Sequence, residues 1–133
     1  MRGMPETVLA FDFGLKRIGV AVGNTLLKQA QPLTVISAAT NDGKFAAIAE
    51  LMKEWQPSRC IVGLPRHPDG TEHEMTVRCR RFANQLNGRY GVPTVLVDER
   101  YSSVVISQQR GEMIDAEAAA IILQQYFNDH AES

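Results

Sequence analysis

Asp12 lies within the apolar run Val8 to Phe13. A carboxylate kept in such a run is costly without a cation, a partner or a catalytic duty to hold it there. Two further acidic positions stand where secondary structure would deliver them to a common edge. One is the pair Asp98 and Glu99, into which the β-rich run Pro93 to Val97 discharges, and the other is Asp115, at the opening of the last helical stretch. Clustered carboxylates repel one another unless a cation neutralises them, and an oxygen-only ligand set suits Mg²⁺ or Mn²⁺. Two such ions can activate a water and stabilise the leaving oxygen of a phosphodiester, so the chemistry open to these residues is cutting of a nucleic-acid backbone. Lys16 and Arg17 add positive charge beside the first acid.

The elements that must position these groups follow from hydrophobic pattern. Thr7 to Gly23 reads as two strands joined by a tight basic turn at Gly14. The first strand is apolar on both faces, as a central strand is, and the second, Ile18 to Gly23, alternates large with small residues, its glycines marking a close approach of another group. Asn24 to Gln29 connects to a third strand, Gln31 to Ser37, completing a meander. Thr40, Asn41 and Asp42 are cap-type residues before a helix that runs to about Trp55 and stops at Pro57. Arg59 to Leu64 is a buried-type parallel strand, Pro65 to Gly70 a loop, and Thr71 to Asn87 a second helix with Gly88 as its stop. Pro93 to Val97 is a third buried-type strand, and the last helix spans Asp115 to Asn128, with Ala119, Ile122, Leu123 and Tyr126 on the side of its opening acid.

This order predicts an α/β fold, a five-stranded mixed sheet with an antiparallel meander, two added parallel strands and helices on both faces. Ligands of such sheets sit beyond the carboxyl ends of the parallel strands, and there the three acids converge. With 133 residues, one domain spanning 1–133 is expected. The net charge of −1 excludes bulk attraction to nucleic acid, although Arg78, Arg80 and Arg81 allow a local basic surface. Cys60 and Cys79 read as reduced core residues, and no stretch is suited to a membrane span or a signal peptide, so a cytoplasmic protein is expected.

FDFGLKRIGVAV, VGLPRHPDGTE, VDERYSS and DAEAA, in that order, resemble the motifs of the YqgF (RuvX) family. The resemblance runs from Leu9 to Tyr126 and implies a ribonuclease H fold related to Holliday junction resolvases, with bacterial members assigned to maturing the 5′ end of pre-16S rRNA. It places the family's acids on Asp12, Glu99 and Asp115, choosing Glu99 over Asp98, which spacing alone leaves open. It further implies a metal-dependent nuclease with Mg²⁺ or Mn²⁺, with Lys16 or Arg17 near the phosphate and Pro65, Asp69 and Gly70 beside the strand to be cut. Arg100, Ser102 and Ser103 complete the substrate-contact candidates. Two departures stand out: Ser103 replaces a usual threonine, and only the eleven residues Val104 to Ile114 separate it from Asp115, where members usually carry a longer, often basic, flexible stretch.

Other readings compete. His67 and His73, separated by a Pro and Gly loop without a cysteine, fit solvated loop residues better than a zinc site. Arg78 and Arg81 fit a solvated helical face as well as a phosphate contact. At the level of function the alternatives are an actin-like nucleotide-binding domain, a resolvase of four-way DNA working as a homodimer, and a factor that binds precursor rRNA or ribosomal particles without cutting.

Overall fold

Residues 6–14, 17–37, 40–64, 74–98 and 114–129 are described in the computed structural model. Strands β1 (Thr7–Phe13), β2 (Arg17–Asn24) and β3 (Ala30–Ser37) precede helix α1 (Asn41–Trp55). Strand β4 (Arg59–Leu64), helix α2 (Glu74–Tyr90), strand β5 (Thr94–Asp98) and helix α3 (Ile114–Asp129) follow. The sheet order is β3-β2-β1-β4-β5, with β2 antiparallel to both β1 and β3, and β4 parallel to both β1 and β5. The expected meander with two added parallel strands is therefore present.

The strand period of two divides the core into two layers. Leu9 and Phe11 of β1, Ile18 and Val20 of β2, and Cys60 and Val62 of β4 pack with Ile48 and Met52 of α1 and with Phe82 and Leu86 of α2. On the opposite face Val8, Ala10, Ala21 and Ile61 meet Ala119, Ile122, Leu123, Tyr126 and Phe127 of α3. The large side of β2 thus faces α1 and α2, and its small side leaves room for α3. A Cβ on Gly23 would sit 2.8 Å from Cε2 of Phe127 and 2.6 Å from the Gln29 carbonyl oxygen, which is the close approach expected of a strand glycine.

Helix ends follow local chemistry. Thr40 caps α1 by accepting from the Gly43 N–H at 3.0 Å, and Gln56 ends it in the left-handed region (φ 46°) just before Pro57. Gly88 does not stop α2. The helix continues to Tyr90, and Gly91 (φ +67°) closes it by donating its N–H to the Asn87 carbonyl at 2.8 Å. Gly88 occupies open surface inside the last turn, where a Cβ would touch nothing, whereas Gly91 takes the conformation that favours glycine. The expected start at Thr71 lies outside the described residues. Strand β5 is also less buried than its apolar run suggests. It is the last strand of the sheet order, and Leu96 is 38% exposed there.

Cys60 and Cys79 are buried, reduced cysteines. Burial pushes the Cys60 thiol up from its ordinary 9.0 to about 12. The folded state therefore holds the thiol proton where the unfolded chain would lose it, so this group's contribution to stability is complete below pH 9.0 and falls as pH rises toward 12. Native protein at pH 8 is expected to react negligibly with an alkylating reagent and to expose both thiols in denaturant. Fast alkylation of the native state would contradict this packing.

Candidate active site

Asp12 is half-buried near the carboxyl end of β1 and pairs across β2 with Gly19, which presents no side chain beside it. By strand alternation Asp12 shares the face of Val8 and Ala10, the face that α3 covers. The turn that follows depends on Gly14, where a Cβ would lie 2.6 Å from the Arg17 carbonyl oxygen. The glycine is needed because the backbone returns so closely, and the return places exposed Arg17 at the start of β2.

Parallel register brings the other strand ends to the same rim. Phe11 aligns with Val62, and Leu64 aligns with Asp98, so β1, β4 and β5 terminate side by side. Glu99 follows directly in sequence. Helix α3 is tied down at the opposite edge of the sheet. Gln124 accepts from the Ala30 N–H at 3.1 Å and donates to the Lys28 carbonyl at 2.9 Å, while Arg59 donates to the Tyr126 hydroxyl. From Tyr126 back to Asp115 the helix rises about 16 Å, and from Val8 to Asp12 the strand rises about 13 Å. The first turn of α3 therefore returns to the Asp12 end of the sheet. Asp115 occupies the helical position in phase with Ala119, Ile122 and Tyr126, which pack on the sheet. The helix begins one residue before the expected acid, at Ile114.

The structure thus describes Asp12 fully, Asp98 and Asp115 through their backbone, and Arg17 at the turn. Lys16, Pro65, Asp69, Gly70, Glu99, Arg100, Ser102 and Ser103 lie outside the described residues, as do His67 and His73. Among the described residues no three His, Cys, Asp or Glu side chains gather into a metal-binding group. The rim does carry one group of the kind a hard divalent cation takes, the half-buried Asp12 carboxylate.

Beside this rim, on the α1 and α2 face, lies a cleft of ≈ 100 Å³ walled by Lys44, Arg78, Arg81 and Gln85. Lys44 carried no signal in the sequence. It is a single basic residue in the first turn of α1 next to Phe45, and only the packing shows it held at 8% exposure with Nζ 5.8 Å from the centre of the Phe13 ring.

The family model of the Holliday junction resolvase RuvX matches residues 6–129 of this chain. The chain belongs to the RuvX family. Among its relatives, a protein of Paraburkholderia xenovorans is 52% identical over 132 residues, covering 95% of this chain and 90% of its own length. One of Burkholderia vietnamiensis is 53% identical over 133 residues, covering 92% and 89% respectively. Both are provisionally named pre-16S rRNA nucleases. In fold, this RuvX chain is similar to Thermus thermophilus RuvC solved with a Holliday junction, with a TM-score of 0.61 at 15% identity and 96% coverage of both chains. It is also similar to the fowlpox virus Holliday junction resolvase, with a TM-score of 0.59 at 11% identity, covering 93% of this chain and 99% of that one. The family resemblance and the ribonuclease H-like architecture expected of the sequence are borne out, and so is the reaction class, hydrolysis of nucleic-acid esters. No helix among the described residues is long and apolar enough to cross a membrane.

Proposed function

We propose that this RuvX protein is a metal-dependent endonuclease acting on the 5′ end of pre-16S rRNA, in the cytoplasm and on ribosomal particles, as a monomer or homodimer. The observation that carries this reading is the half-buried Asp12 carboxylate at the rim where β1, β4 and β5 end together, and it is supported by Glu99 standing next after β5 in the sequence and by Asp115 in the first turn of α3. The naming of relatives about half identical in sequence supports the RNA substrate. Asp12, Glu99 and Asp115 would hold one or two Mg²⁺ or Mn²⁺ ions. Bound there, such ions supply Lewis-acid activation of water and neutralise charge on the leaving oxygen.

The chain's own part is positioning. Asp12 is fixed by the central strand, so its carboxylate is preorganised for a cation, and Gly19 opposite places no side chain beside it. Lys16 and Arg17, on the turn after Asp12, offset the negative charge that builds on the phosphate. Pro65, Asp69, Gly70, Arg100, Ser102 and Ser103 complete the substrate contacts.

A second reading, cleavage of four-way DNA junctions, is favoured by the description of the matching family. One panel separates the two: purified protein with Mg²⁺ or Mn²⁺ on precursor rRNA, single-stranded RNA and a four-way DNA junction. Cleavage of the precursor in preference to the junction is expected. Preference for the junction, with paired symmetric cuts, would select the resolvase, and binding of precursor without cleavage would select a non-catalytic assembly factor.

A further inference from the structure

We propose that the basic cleft between α1 and α2 is a second phosphate subsite, which holds a phosphodiester of the bound strand other than the one being cut. The inference rests on the nuclease reading in taking a nucleic-acid strand as the ligand and the Asp12 rim as the place of cutting. Three cations and one amide share the cleft with four apolar side chains, Phe13 among them, and its lining among the described residues includes no carboxylate. At ≈ 100 Å³ it is smaller than a pocket for a drug-sized molecule, which leaves a small anion as the ligand its cations suit. Arg78 and Arg81 are exposed on α2 three residues apart, the spacing that sets two side chains on one helical face, and guanidinium forks are matched to phosphate oxygens.

Lys44 supplies the deeper donor. The residue is 8% exposed and its Nζ lies 5.8 Å from the centre of the Phe13 ring, which keeps the cation close to the cleft. A phosphate oxygen entering the cleft would accept a charge-assisted hydrogen bond from this ammonium. In a chain of net charge −1, attraction for a polyanion must come from such a local group of cations.

Position identifies which phosphate is held. Phe13 floors the cleft and Asp12 precedes it in β1, so the two side chains point to opposite faces at one strand end. A strand crossing this rim meets the carboxylate on one side and the cleft on the other. The held phosphate is thus a near neighbour of the cut one, and the cleft sets the strand's register without touching the reacting atoms.

The test is binding of a fluorescein-labelled single-stranded RNA to the full chain, with divalent ions chelated, across a salt series. The double variant Arg78→Gln/Arg81→Gln is expected to bind about tenfold more weakly, with a salt slope shallower by about 0.7 for each phosphate it no longer neutralises. Arg78→Lys/Arg81→Lys should keep the parent slope, and Lys53→Gln, which removes one charge from α1 away from the cleft, should behave as the parent. Parent-like affinity and slope in the double glutamine variant would overturn the proposal, as would an equal loss in Lys53→Gln or a parent that binds no RNA. Cleavage is scored separately with Mg²⁺. A protein that shows the expected slopes but never cuts defeats the nuclease reading and leaves the subsite standing. One that cuts while the double glutamine variant binds as the parent does the reverse.

Discussion

Asp12→Asn is expected to lower metal-dependent cleavage of precursor rRNA about a hundredfold or more while leaving the fold intact. A cation that neutralises developing charge contributes several kcal/mol to transition-state stability, and about 3 kcal/mol corresponds to roughly two powers of ten in rate. Asparagine keeps the shape of the side chain and one acceptor oxygen but removes the charge that retains the ion. The structural cost should be small, because Asp12 is half-buried at the rim, and the fully buried part of β1, Val8 to Phe11, is untouched. The measurements are initial cleavage rates with Mg²⁺ or Mn²⁺ beside thermal melts of both proteins. Added Mg²⁺ should raise the melting midpoint of the parent more than that of the variant, because a ligand stabilises only the folded state that binds it. Equal rates in the two proteins would remove Asp12 from the chemistry.

Phe82→Ala is expected to cost about 3–5 kcal/mol of stability. Phe82 is 3% exposed and lies where α2 meets β1 and α1, its ring centroid 5.7 Å from Phe11, 4.8 Å from Phe13 and 6.0 Å from Phe45. Truncation loses the transfer term of the ring and opens a cavity among three others that cannot all close over it. Against a usual total of about 5–15 kcal/mol this is a large fraction, and the denaturant midpoint should fall with little change in slope. Val77→Ala, on the same helix but 49% exposed, should change stability by no more than about 0.5 kcal/mol. A similar loss at both positions would show that the aromatic cluster carries no special share of the core.

Sheet order and helix placement were legible because they depend on signals confined to short windows. Val8 to Phe13 is apolar on both faces because helices do cover both, and the large and small sides of β2 do match two different helix layers. What depends on three-dimensional position was not legible. Gly88 and Gly91 look alike as helix stops, and only the backbone angle at Gly91 distinguishes the true one. The apolar run of β5 suggested a buried strand, whereas exposure depends on its place last in the sheet order. Within the candidate site, Asp12 was evident from its apolar surroundings. Lys44 was not, since its burial against Phe13 joins a helix and a strand far apart in the chain.

The alternation of Asp12 and Phe13 at one strand end also limits how this protein can change. Deleting or inserting one residue in β1 would turn the acid into the aromatic layer and the ring toward α3, disturbing the proposed catalytic carboxylate and the proposed phosphate cleft in a single event. The two proposed roles are therefore not separately adjustable through the length of this strand. Divergence in substrate preference is confined to substitutions that preserve its count, or to the loops beyond its tip.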